Sequence, residues 1–180
     1  MEQHYFIGVK VPTHFEAQVE QVRERYRLRD TYKVIPHIED FHVTLLYLGA
    51  VSEHRLSPLK QMLAVIAGRH LSFSIDIDGL SYFGSSSGPR VVYLAINHCV
   101  PLTSLQREIN TAVSHHLALP LFNRFVPHVT IAKKRKDSGP VSIEKETFKP
   151  IEVLVQSFSL FAVHPHKTPK YEAIESFHLQ

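Results

Sequence analysis

Residues 41–49 read FHVTLLYLG, and the tripeptide at the head of that stretch, His42-Val43-Thr44, returns as His128-Val129-Thr130 inside residues 125–133, FVPHVTIAK. Both stretches are short, apolar and rich in β-branched residues, which predicts a β-strand at about 41–48 and another at about 125–132. Side chains alternate between the faces of a strand, so His42 shares a face with Thr44, and His128 with Thr130. Two such strands brought side by side gather two imidazoles and two hydroxyls around one small volume. Imidazole titrates near pH ~6.5, so one ring can carry a proton while the other is free, as a paired general acid and general base requires. The hydroxyls can donate to an anion held between the rings.

The spacing alone carries little. With 13 His among 180 residues, a shuffled chain holds roughly 0.6 His-x-Thr triplets, so one chance copy is expected. His166-Lys167-Thr168 is such a copy, because Pro165 and Pro169 remove backbone donors and predict a loop. Requiring a central Val lowers the expectation to roughly 0.06, and requiring an aliphatic strand after it lowers it further. The information lies in the strand context.

The chain has 44% hydrophobic and 21% charged residues, the composition of a folded soluble domain. No apolar run approaches the ~18 residues of a membrane span, and MEQHYF does not read as a secretory signal, so the expected location is cytoplasmic. Cys99 is the single cysteine, which excludes an internal disulfide and a thiolate-rich metal site. His115-His116 on a helix diverge, and His164 and His166 lack a partner at metal-ligand spacing, so no metal is expected. No glycine-rich phosphate loop is present, and no cofactor is expected. The net charge of +3, the pI near 9.0 and the run Lys133-Lys134-Arg135-Lys136 predict an anionic partner.

Outward from the two stretches, YFIGVKV (5–11) predicts a strand, followed by a helix opened by a capping box of Thr13 and Glu16. A second helix is expected from Ser57-Pro58, with Leu59, Met62, Leu63 and Ile66 apolar and Gly68 as its stop. LSFSIDID (71–78) alternates as a strand, SYFGSSSGPR reads as a flexible loop, and VVYLAI (91–96) as a strand. A third helix is expected over 101–119, one long or two short strands over 151–163, and a closing strand over 170–178. The order strand, helix, His-Val-Thr strand occurs twice. It predicts an α+β fold of two pseudo-symmetric lobes, each an antiparallel sheet with helices on its outer face, and an active-site cleft between the lobes.

On these residues the chain resembles the 2H phosphoesterase superfamily, and within it the RNA 2′,3′-cyclic phosphodiesterases once called 2′-5′ RNA ligases. The family's first motif stands here as His42-Val43-Thr44-Leu45 with Tyr47-Leu48-Gly49, its second as Pro127-His128-Val129-Thr130-Ile131, and FIGVKVP resembles the family's opening strand. The resemblance implies one 2H phosphoesterase domain over 1–180, each of two intertwined lobes giving one motif. It implies an RNA or oligonucleotide with a 2′,3′-cyclic phosphate end as partner, acted on by a monomer. His42 is then the proton donor to the departing 3′ oxygen, His128 the proton acceptor from water, Thr44 and Thr130 the phosphate ligands, and the product a 2′-phosphomonoester. Family members often carry Arg five residues after the second His, where this chain has Lys133, a point charge without the bidentate fork. In a strand regular to its end, Lys133 faces away from His128. Lys133 and Arg124 enter as candidate phosphate or RNA contacts, and Tyr47, on the wrong face, and Phe83, in the expected loop, as candidate base-stacking residues. A small cyclic nucleotide or ADP-ribose cyclic phosphate as substrate, and a non-catalytic RNA-binding module, are the alternative readings.

Overall fold

Val43 and Val129, the central residues of the two repeats, face each other across antiparallel strands, and both are fully buried. They belong to β3 (His42–Ala50) and β6 (His128–Arg135), and theirs is the pair that joins the two halves of the sheet. The computed structural model describes residues 2–136 and 139–180. The other strands are β1 (His4–Lys10), β2 (Tyr32–Val34), β4 (Phe73–Ser85), β5 (Gly88–Ile96), β7 (Glu146–Val155), β8 (Ser157–Val163) and β9 (Tyr171–His178). All nine lie in one antiparallel sheet, ordered β7-β4-β5-β6-β3-β1-β8-β9, with β2 pairing the C-terminal part of β6.

That order is two four-strand halves back to back. Each runs outward from a His-Val-Thr strand, β6-β5-β4-β7 on one side and β3-β1-β8-β9 on the other. In each half the hydrogen-bonded neighbour of the motif strand, β5 or β1, comes earlier in the chain, while β2, which lies between β1 and β3 in sequence, crosses to pair with β6. The two expected lobes are present, and they meet edge to edge.

The helices are α1 (Glu16–Arg25), α2 (Leu28–Thr31), α3 (Glu53–Ala67) and α4 (Val100–Leu117). The stripe Leu102, Leu105, Ile109 and Val113 on α4 is fully buried, as are Leu59 and Leu63 on α3. These two helices pack on each other, α4 also against β3 and β4, and α3 against β8 and β9. Each fully buried Leu, Ile or Val contributes about 1.5–3 kcal/mol, so the face opposite the motif histidines anchors the sheet. No helix among the described residues is long and apolar enough to cross a membrane.

Three local expectations are corrected. Thr13 forms no capping box: its carbonyl accepts the Glu16 N–H in a turn, and the helix starts at Glu16, with Phe15 in the cap position. Ser57-Pro58 does not open α3, which begins at Glu53 after Ser52, so Pro58 lies inside it. His54, whose carbonyl loses its donor to Pro58, is exposed, as is the proline, and water can take its place. Finally, residues 81–90 form a tight hairpin, because β4 continues to Ser85 and β5 resumes at Gly88.

Candidate active site

Antiparallel pairing of Val43 with Val129 sets His42 opposite Thr130 and Thr44 opposite His128, on the face away from the buried valines. The two histidines are diagonal neighbours in that register, a relation that spans about 7–8 Å between strands. The structure therefore brings together all four residues singled out by the repeat.

The two rings are held in the same way. His42 Nδ1 lies 2.7 Å from the carbonyl oxygen of Asp40, and His128 Nδ1 lies 2.7 Å from that of Val126, two residues upstream in each case. A carbonyl only accepts, so each Nδ1 carries the proton and each Nε2 is turned to the cleft. His42 Nε2 is 2.9 Å from Thr44 Oγ1, and in the neutral ring it accepts from that hydroxyl. Aromatic rings flank both histidines. Phe6 (4.6 Å between centroids) and Tyr171 (5.0 Å, edge-on) enclose His42, while Phe83 (5.0 Å, edge-on) and Tyr93 (5.1 Å) enclose His128. Burial pushes His42 down from 6.5 to about 4, and the positive charges of Lys133 and His128 add to the effect against the hydrogen bond to Asp40. Burial lowers His128 as well. Burial thus favours the neutral form of both rings in the free protein.

Lys133 corrects the expectation from a regular strand. In the β5–β6 ladder Val92 pairs with Ala132 and Tyr93 with Thr130, so Ile131 is skipped in a β-bulge. The skip reverses the alternation, and Lys133 returns to the face of His128 and Thr130, near enough to lower the pKa of His42. The first repeat has the same device. Ile7 pairs with Leu46 and Gly8 with Thr44, so Leu45 is skipped and Tyr47 returns to the cleft, where it lines a cavity with Thr44 and His128. Both bulges fall three residues after the motif histidine. Each leaves a carbonyl that a helix from the opposite half takes up: Gln106 Nε2 of α4 donates to Leu45 O (3.3 Å), and Arg23 of α1 donates to Ile131 O (3.1 and 3.3 Å).

Two cavities flank the histidines. Beside His42 is an ionic one of about 320 Å³, lined by Lys133, Lys170, His37, Arg23 and Tyr171. Its floor is Asp40, 5% exposed, whose carboxylate accepts the backbone N–H groups of Lys170 (2.9 Å) and Tyr171 (3.0 Å). The other, about 860 Å³, starts at Thr44 and His128 and is walled by apolar side chains, with Arg124 its only Lys or Arg. Phe83, expected in a loop, lies on β4 against His128. Sequence reading did not find Phe6, Tyr93, Tyr171, Asp40, Arg23 or Gln106, since none sits within a motif; Phe6, in the opening strand, was the nearest to a signal.

Gly8, paired with Thr44, is constrained by this packing. A Cβ there would stand 2.8 Å from the Val43 carbonyl oxygen and 3.2 Å from the Phe6 ring, so β1 and β3 would have to part. Gly8→Ala is expected to cost about 1–3 kcal/mol in a denaturant titration, the usual range for overpacking, and to lower kcat by displacing His42. Unchanged stability and turnover would remove the close approach from the account.

The chain matches the family model of the 2′-5′ RNA ligase superfamily over residues 11–166. It is 32% identical over 178 residues to the RNA 2′,3′-cyclic phosphodiesterase of Bacillus subtilis, covering 98% of this chain and 96% of that protein. It is 31% identical over 180 residues to the protein of the same name from Geobacillus stearothermophilus, but spans only 57% of that relative's length. A structure of E. coli LigT complexed with 3′-AMP superposes with a TM-score of 0.80 at 22% identity, covering 100% of this chain and 99% of that one, a likeness of fold. With the matched model covering most of the chain, and both motif strands inside the match, the chain belongs to the 2′-5′ RNA ligase superfamily of 2H phosphoesterases.

Proposed function

We propose that this chain hydrolyses the 2′,3′-cyclic phosphodiester at the end of an RNA to a 2′-phosphomonoester, using His42 and His128 as a metal-independent acid–base pair. That it is a phosphodiesterase follows from its family and from its relatives of that activity. The observation that carries the mechanism is the matched orientation of the rings, each Nδ1 on a backbone carbonyl and each Nε2 toward one cleft. Both motif strands belong to one chain, which supports action as a monomer, and an RNA substrate fits a cytoplasmic enzyme.

In this reading water attacks phosphorus opposite O3′. His128 Nε2 takes the water proton, a P–O bond forms, the P–O3′ bond breaks, and His42 Nε2–H protonates the departing O3′. Thr44, Thr130 and Lys133 hold the non-bridging oxygens, where charge builds in the transition state. The anionic phosphate between the rings offsets the burial that keeps His42 neutral, so the acid gains its proton together with substrate.

The test is turnover of an oligonucleotide with a 2′,3′-cyclic end in excess chelator, with the product resolved as 2′- or 3′-phosphate. Undiminished turnover to the 2′-phosphate is expected. A 3′-phosphate product, or loss of activity restored by added metal, overturns the proposal.

A further inference from the structure

Of the eight large hydrophobic side chains left exposed among the described residues, four line the apolar cavity beside His128: Tyr47 (56% exposed), Leu121 (56%), Phe122 (52%) and Val126 (46%). Such clustering marks a binding surface rather than scattered surface residues. Phe122 is also rigidly presented. The side chain of Asn110 on α4, 7% exposed, donates to the Phe122 carbonyl (2.8 Å) and accepts its N–H (3.1 Å), while Ser114 supports Asn110 from below (3.3 Å). A buried amide thus fixes the backbone of a segment whose aromatic ring is left to solvent.

We propose that this cavity is a second nucleotide subsite, in which the base of the nucleotide 5′ to the cyclic end stacks on Phe122 and Arg124 contacts the phosphodiester joining the two. The proposal rests on the catalytic reading above. Because the cavity begins at His128 and Thr44, whatever fills it is continuous with the group between the histidines. A strand that ends in a 2′,3′-cyclic phosphate extends from there in the 5′ direction only. At about 860 Å³ the cavity lies near the upper end of the ~300–1,000 Å³ range for ligand pockets, ample for a base beyond the terminal ribose. Among the described residues its walls offer apolar and aromatic faces, no carboxylate, and a single Arg or Lys, the chemistry for one planar base and one monoanion. Arg124 forms no ion pair among the described residues, and its guanidinium is open to such a contact.

The experiment compares kcat/KM for the dinucleotide ApA ending in a 2′,3′-cyclic phosphate with that for adenosine 2′,3′-cyclic monophosphate. The wild-type protein is expected to favour the dinucleotide by about 5- to 150-fold, the range that one aromatic–base stack supplies. Phe122→Ala should remove that stacking factor, leaving only the smaller preference due to Arg124, and Phe122→Tyr should keep it, whereas Leu71→Ser, a control at another exposed apolar site, should not move it. A wild-type ratio near one overturns the subsite, as does a ratio that Phe122→Ala leaves unchanged. An equal fall on both substrates overturns it too, and assigns the platform to the terminal base. No turnover of either substrate by the wild-type protein overturns the catalytic reading instead, and the subsite with it.

Discussion

Alanine at either His42 or His128 is expected to lower kcat on a cyclic-ended oligonucleotide by roughly 10²–10⁴-fold, with a much smaller change in KM, since proton transfer is strongest in the transition state. The double variant should lose little beyond the worse single one, because an acid and a base serving one step act as a unit. Retained turnover in both single variants sinks the acid–base pair. The roles separate with a substrate in which sulfur replaces the bridging 3′ oxygen. A thiolate leaves without a proton, so His42→Ala should recover most of its lost activity there and His128→Ala should not. Recovery by His128→Ala alone would establish the swapped assignment. The pH profile follows from the burial of both rings. The profile of kcat/KM reports the free protein, in which burial lowers both motif histidines from 6.5, His42 to about 4. Its bell should therefore peak below pH 6.5: activity falls on the acid side as the base is protonated, and on the alkaline side as the acid loses its proton. The bell for kcat should lie higher in pH, because bound phosphate stabilises both imidazolium forms.

The histidines were legible because a strand's alternation is a local rule: Val43 and Val129 go to the core, so their neighbours go to the cleft. The same rule misplaces Tyr47 and Lys133. Each lies beyond a bulge, and each bulge has its freed carbonyl taken by a side chain distant in the chain, Gln106 for Leu45 and Arg23 for Ile131, at separations of 61 and 108 residues. The start of α3 was missed for a related reason, since Pro58 reads as a first-turn residue until the apolar stripe is docked and the helix extends back to Glu53. The hairpin at 81–90 read as a loop because its Ser and Gly residues are turn formers, while its strand character comes from Tyr82, Phe83, Val91 and Val92 pairing across it. The aromatic rings against His42 come from β1 and β9, far apart in sequence, and only the sheet order brings them together.

Arg23→Met should have the largest effect on stability, and its cause lies in the bulge. Arg23 is 3% exposed, and its guanidinium serves Ile131 O (3.1 Å) and Pro36 O (2.7 Å) at once, with Glu20 2.7 Å from the same group. Glu20 keeps Arg29 at 2.6 Å, so its carboxylate is not stranded by the substitution. The cost therefore falls on the buried Ile131 carbonyl, at about 1–3 kcal/mol, and to a lesser extent on the half-buried Pro36 carbonyl, which water from the cavity can reach, for a total of about 2–4 kcal/mol in a urea titration. Arg23→Lys should recover only part of it, because a single ammonium lacks the fork that spans two acceptors. If the clamp also holds the bulge, then its loss lets β6 regain regular alternation and turns Lys133 out of the cleft. The surviving protein should then show a raised KM with the pH optimum shifted upward, since Lys133 helps to hold His42 low. Lys133→Met should reproduce those two changes without the loss of stability. Combining Arg23→Met with Lys133→Met should add nothing further to KM, the non-additivity expected of residues acting through one contact. Independent, additive effects on KM would mean that Arg23 supports the fold alone, and that the bulge places Lys133 without it.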